Sequence, residues 1–361
     1  MQWEKFFRSN LAPVEAYQPG MREEQIREIA TVDTIRKLSS NESPFAPFAS
    51  ALEAMTAELV NLNQYPDGSS HQLTEVISSH YGVKPEQIIL GNGSNELLDL
   101  IAMSCLQPGD QVIYCWPSFV VYRSSAQIAG AEFLELPVTA DGSFDLTAIL
   151  DAITDNTKLV YICSPNNPTG GTVSHRQLAD FLDAVPDHVM VVMDAAYEEF
   201  VTDPDAARSL DFYDGVRPYV VLRTFSKMYS LAGIRVGYGF APEPVVTHVN
   251  KVRAPFNVNS IAQAAARASL GDADEVARRL SINDQGRERL YDCFANLGLS
   301  FFKSQGNFVW VWVDDANSVF NELLVRGVIV RTFAGVNGLR VGVGDEDGVS
   351  DTIRAFNEIF A

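Results

Sequence analysis

Residues 219–233 read YVVLRTFSKMYSLAG. Tyr219 to Leu222 are four consecutive large apolar residues, the make-up of a strand buried on both faces. That is the usual state of strands in a parallel sheet covered by helices. The run then gives way to small hydroxyl residues around one lysine, Lys227. Taken alone, such a lysine is most often a solvated surface cation. Its position gives it more weight, because in open α/β sheets ligands bind beyond the carboxyl ends of the strands.

Outward from this stretch the same grammar repeats. Apolar runs at 87–90, 111–115, 132–137, 158–163, 188–194, 219–223 and 235–240 alternate with amphipathic helix-like segments such as 95–105 and 176–184. This predicts an α/β fold, a large domain with a mostly parallel sheet covered by helices. After a helical stretch at 264–297, the chain reads strand, helix, strand, strand, helix, which predicts a smaller α+β C-terminal domain. The expected organisation is an N-terminal segment (1–44) packing on the small domain, a large domain (45–255) and a small domain (256–361).

Composition excludes several classes of function. The net charge of −19 over 361 residues argues against nucleic acid and anionic membranes, which are held by clusters of Lys and Arg. The N-terminus lacks a signal-peptide core, and no apolar run approaches a membrane span. Four cysteines without CxxC spacing or a histidine cluster predict no metal site and no disulfide frame. The expected location is the cytoplasm.

The polar residues after each apolar run carry the chemistry. The strand at 87–90 leads into GNGSNE, that at 158–163 into SPNNPTGG, that at 188–194 into Asp194 and Tyr197, and that at 219–223 into TFSK. Each has an ordinary reading. GNGSNE can be a helix cap, NNPTG a turn, and Asp194 a cap for the next turn of chain. GNGSNE lacks the third glycine of a dinucleotide fingerprint, but a helix start can also cradle an anion. A carboxylate flanked by MVVM and AAY is costly to bury without a partner. One chemistry uses all four: a lysine able to form a Schiff base, a carboxylate facing a pyridinium nitrogen, an asparagine, and an anion cradle. These are the needs of pyridoxal 5′-phosphate.

In this order SPNNPTGG, DAAY, VVLRTFSKMYSLAGIRVGY and KVRAPFNVNSIAQAAA resemble the fold type I aminotransferases, and more narrowly the histidinol-phosphate aminotransferase family. YQPG (17–20), KLSSNESP (37–44), YPDG (65–68) and SQGNFVW (304–310) extend the likeness over nearly the whole chain. The resemblance implies that Lys227 anchors the cofactor covalently and moves the substrate's α-proton. It implies that Asp194 pairs with the pyridine nitrogen, that Asn167 and Tyr197 bond the phenolic oxygen, and that Phe119 stacks on the ring. The phosphate would sit on Gly93, Ser94 and Asn95, with Thr224, Ser226 and Arg235. A homodimer with shared active sites is implied, Tyr65 reaching the neighbouring subunit's phosphate. Arg340 would take the substrate carboxylate, with Arg331 nearby, and Tyr17 and Asn41 would line the entrance.

The chain departs from the family pattern at Asn95, where aspartate is usual, at Ala195, where glutamate is usual, and at Phe256, where some relatives have tyrosine. The short interval from Arg331 to Arg340 resembles the actinobacterial phenylalanine aminotransferases. The expected reaction moves an amino group from L-histidinol phosphate, or alternatively from an aromatic amino acid, to 2-oxoglutarate. A lyase or decarboxylase with the same cofactor, and a non-catalytic nucleotide-binding domain, are the readings outside this class.

Overall fold

The computed structural model describes residues 3–16, 21 and 23–360. Its strands are β1 (Arg36–Lys37), β2 (Ile88–Gly91), β3 (Gln111–Trp116), β4 (Glu132–Pro137), β5 (Thr157–Cys163) and β6 (Met190–Asp194). They continue with β7 (Tyr219–Thr224), β8 (Gly237–Phe240), β9 (Phe308–Trp312), β10 (Val328–Ile329), β11 (Arg331–Phe333) and β12 (Val336–Gly342). Seven of them form one sheet in the order β2-β8-β7-β6-β5-β3-β4. All neighbours in it are parallel except those of β8, which runs against both β2 and β7.

The apolar runs form strands because helices cover both faces of this sheet. All six residues of β7 are buried, as are four of the five in β6. The helix Ser94–Cys105 buries Leu97, Leu98, Leu100, Ile101 and Ala102, the three-to-four spacing of a core-facing stripe. The expected large domain would end at 255, yet the later helix Ser260–Ser269 sends Ala262, Ala265 and Ala266 into this same core. The helical stretch beyond residue 255 is therefore two helices, Ser260–Ser269 and Ala273–Asn296, with a break at 270–272.

A second sheet, β11-β12-β9, is antiparallel. It packs a separate core of Val309, Val311, Leu339 and Val341 against Leu290, Phe294 and Phe356. β1 pairs in parallel with β10, and Arg36 bonds Asp351 at 2.7 Å, so part of the N-terminal segment lies on this smaller layer. Another part does not. The Asn10 side-chain amide donates to the carbonyls of Gln127 and Ile128 on the large layer.

Candidate active site

β5, β6 and β7 end side by side, with Cys163 opposite Asp194 and Asp194 opposite Leu222. β2 ends on the same edge, but β8 lies between it and β7. The four strand ends are therefore not successive in the sheet. Because β8 is antiparallel it starts where the others finish, and that brings Arg235, two residues before it, to the same edge.

Beyond this edge lies a cavity of about 370 Å³, closed on the far side by β11 and β12 of the small sheet. Ser94, Asn95, Phe119, Asn167, Asp194, Tyr197, Thr224, Ser226, Lys227, Arg235, Arg331 and Arg340 all line it. Four cations and two carboxylates, Asp194 and Glu42, face this space in a chain of net charge −19. The pocket is thus locally positive and suited to anionic ligands.

Gly93 precedes the helix Ser94–Cys105 with φ +88°. That left-handed backbone favours glycine, and a Cβ there would run into the Arg235 guanidinium. A Cβ on Gly237 would likewise meet the backbone nitrogen of Ser94. Two glycines therefore keep space around the first-turn N–H groups of the helix, which no helical carbonyl can reach. Asn95, the departure from aspartate, donates to Asp99 Oδ2 at 3.2 Å.

Asp194 is buried. Its Oδ2 accepts the Tyr122 hydroxyl at 2.7 Å and its Oδ1 the Ala196 N–H at 3.2 Å. Burial raises its carboxyl above the ordinary value, against the pull of these two donors and of Lys227. Lys227 Nζ donates to the Ser40 carbonyl at 3.0 Å and lies 5.7 Å from the centre of the Tyr197 ring. Burial, then Arg340 and Arg235, lowers its ammonium to about 8, while Glu42 and Asp194 act the other way. The Tyr197 hydroxyl receives the Asn41 amide at 3.0 Å, and burial pushes it up to about 12. Asn41 Oδ1 is buried without a hydrogen-bond partner.

Arg340 is 6 % exposed and donates to Asn167 Oδ1 and to the Ser39 carbonyl. Arg331 is its register partner on β11, so both guanidiniums rise from one face of the small sheet. Phe333, two residues on, shares that face, lines the cavity and packs edge-on against Trp310 with ring centroids 5.4 Å apart.

Among the described expected residues, Gly93, Asn41 and Tyr65 are not part of the cavity lining; Gly93 adjoins Ser94, and Asn41 bonds the Tyr197 hydroxyl. Tyr65 is 83 % exposed and stacks on Phe256, itself half-exposed at φ +57°. Tyr17 lies outside the described residues. Sequence reading missed Tyr122, whose signal was its place three residues after Phe119, and Phe333, which sits between the two chosen arginines.

The aminotransferase class I and II family matches the chain over residues 33–356. The chain belongs to this family. It is a pyridoxal 5′-phosphate-dependent aminotransferase, and it catalyses transamination. It is 40% identical to histidinol-phosphate aminotransferase of Moorella thermoacetica over 359 residues, 98% of this chain and 93% of that one. It is 42% identical to histidinol-phosphate aminotransferase of Bacillus pumilus, over 90% of this chain and 89% of the other. Its fold matches the crystal structure of histidinol-phosphate aminotransferase from Sinorhizobium meliloti in complex with pyridoxal 5′-phosphate. That match has TM-score 0.89 and 25% identity, and it covers 98% of this chain and 97% of the other. The fold is that of the fold type I aminotransferases, and among the described residues no helix is long and apolar enough to cross a membrane.

Proposed function

We propose that this aminotransferase takes the amino group of L-histidinol phosphate and passes it to 2-oxoglutarate, as a step of histidine biosynthesis. The observation that carries the reading is the convergence of Lys227, Asp194, Asn167, Tyr197 and Arg340 on one locally positive cavity. The glycine-kept space at Gly93 and Gly237 and the partnerless Asn41 oxygen fit a phosphorylated polar cofactor. Ser94, Asn95, Thr224, Ser226 and Arg235 would hold its phosphate, Phe119 its ring face, and Asn167 with Tyr197 its phenolic oxygen. The cofactor when bound supplies an electron sink for the carbanion at the substrate's α-carbon.

The chain's own residues supply the rest. Lys227 Nζ, with its ammonium lowered to about 8, is about one-tenth neutral amine at pH 7, a far larger share than an ordinary lysine has. It can anchor the cofactor and, once displaced by the donor, move the α-proton. Asp194, fixed by Tyr122 and Ala196, would keep a proton on the pyridine nitrogen; an opposite charge at that range shifts a pKa by about 1–3 units. Arg340 and Arg331 offer two planar forks for the donor's phosphate or for the carboxylates of the 2-oxo acid. The exposed Tyr65–Phe256 pair, with Leu59, Val60 and Leu62 also exposed, supports a homodimer in which Tyr65 faces the neighbouring site. The same reading has an N-terminal segment (1–44), packed partly on each layer, and two domains that part near residue 270, with the cavity between them, in a cytoplasmic enzyme.

One observation favours a second donor. Phe333 and Phe119 both line the cavity, a wall suited to the side chain of an aromatic amino acid such as phenylalanine. Borohydride reduction and peptide mapping are expected to leave the pyridoxyl label on Lys227, and a label elsewhere defeats the assignment. Parallel assays with 2-oxoglutarate decide the donor. A larger kcat/KM for histidinol phosphate than for phenylalanine is expected, and the reverse order installs the second reading.

A further inference from the structure

Behind the sheet, on the face away from Asp194, lies a buried ion cluster that transamination chemistry does not use. β7 places Leu222 and Thr224 on the Asp194 face, so Arg223 projects from the other side. Its Nη1 bonds Glu198 at 3.0 Å and its Nη2 bonds Glu199 at 2.9 Å. The three side chains are 7 %, 9 % and 6 % exposed. The guanidinium lies 5.5 Å from the centre of the Tyr81 ring, whose hydroxyl meets that of Tyr238 at 2.7 Å. Glu198 also accepts the Ser209 N–H at 3.0 Å, while Glu199 Oε2 and Arg223 Nε are buried without partners.

A buried cluster of one cation and two carboxylates is a poor way to gain stability, since desolvation cancels much of the attraction. Its place in the chain is more telling. The hydrogen bond from Ala195 N–H to the Leu222 carbonyl, 2.9 Å, ties β6 to β7 at their ends. Past it, one strand runs into Tyr197 and the short helix Glu198–Phe200, the other into Thr224, Ser226 and Lys227. Arg223 is the next residue on one branch, and Glu198 and Glu199 come directly after Tyr197 on the other. The two ion pairs join β7 to the β6 branch just past their last paired residues, Asp194 and Leu222.

We propose that Arg223 is a positioning residue for this transamination: by clamping Glu198 and Glu199 it fixes Tyr197 relative to Lys227. It touches neither cofactor nor substrate, and it acts through the backbone of both branches. The rigid two-pronged guanidinium suits this role because it can hold two carboxylates in one plane, which an ammonium cannot. The inference rests on the reading that Tyr197 and Lys227 face the cofactor.

The test uses the holoenzyme in three forms. Arg223→Met leaves two buried carboxylates facing each other and is expected to fold poorly. The variant Arg223→Met/Glu198→Gln/Glu199→Gln removes that repulsion together with the clamp. It is expected to melt within roughly 5 °C of the unsubstituted enzyme. Its kcat should fall about 10²-fold with KM little changed, the loss typical of a ~1 Å misplacement. The pH midpoint of the bound cofactor's visible absorption, which senses the Tyr197 hydroxyl, should move by about one unit. Arg223→Lys should lie between the two in both readouts. A neutral triple variant with unaltered kcat and absorption midpoint overturns the proposal, and so does one that fails to fold, which would make the cluster purely structural. If the unsubstituted enzyme carries its pyridoxyl label away from Lys227, it is the underlying functional reading that has failed.

Discussion

The two walls of the cavity are built by different means. On the large-sheet side every working group stands at or just past a strand end: Asn167 after β5, Asp194 on β6, Lys227 after β7, Arg235 before β8. These groups are held in part by burial, which raises the Asp194 carboxyl and lowers the Lys227 ammonium to about 8. On the small-sheet side Arg331 and Phe333 rise from the edge strand β11 and Arg340 from the central strand β12, all on one antiparallel face. Buried Arg340 donates to oxygens of Asn167 and Ser39, which offsets part of the cost of burying its charge. One wall tunes reactivity and the other presents fixed charge and an aromatic surface. Changes to the first should therefore act on kcat and changes to the second on KM.

The largest effect tests the first wall. Lys227→Ala removes the proposed covalent anchor and, among the described residues, the only amine placed beside Tyr197. Loss of a positioned general base costs typically about 10²–10⁴-fold. Single-turnover assays with saturating donor are expected to show kcat reduced by at least that range. Donor affinity, read from perturbation of cofactor absorption, should change far less. A variant with near-normal turnover would remove Lys227 from the mechanism.

The same contrast explains what could be seen in the sequence. The central strands of the large sheet were legible because burial on both faces leaves nearly uninterrupted apolar runs, and their polar ends obey the rule for open sheets. The edge strand β4 was legible although glutamates interrupt its apolar residues, EFLELP. The direction of β8 was not legible. RVGYGF reads as a strand in either direction, and only pairing with β2 and β7 decides which. On the small sheet Arg340 and Arg331 came from the family resemblance, since an arginine in an alternating strand carries no local mark of function. Phe333 went unnoticed because one aromatic residue in a short strand looks like core. Arg223 ends the run YVVLR and looks like any strand arginine, because its partners Glu198 and Glu199 lie about 25 residues back in the chain.

A middle-sized effect tests the second wall. Arg340→Leu removes charge-assisted hydrogen bonds worth about 1.5–3 kcal/mol, or roughly 10–160-fold in kcat/KM, mostly as a higher KM. Arg331→Leu, at a half-buried position on the same face, should cost less. Steady-state assays of both variants with each candidate donor check this order. Equal losses would mean that the two arginines act as one dianion clamp and not as a major and a minor contact.

The smallest effect crosses from one wall to the other. In the cofactor-free chain Lys227 reacts with an aldehyde only as the neutral amine, so uptake of pyridoxal phosphate should level off above pH about 8. Below that midpoint it should fall by about tenfold per pH unit, since protonation removes the nucleophile. An ordinary lysine would not level off until about pH 10.4. Burial is the first cause of the lowering and Arg340 the second. Arg340→Leu should therefore move the uptake midpoint upward, because a neighbouring positive charge no longer disfavours the ammonium. It should stop short of the ordinary lysine value, because the burial remains. Stopped-flow absorbance across about pH 6–10, with Arg331→Leu as the control on the same face, measures the shift. A midpoint unchanged by Arg340→Leu would show that the two walls are electrostatically independent, and that burial alone prepares Lys227 for its reaction.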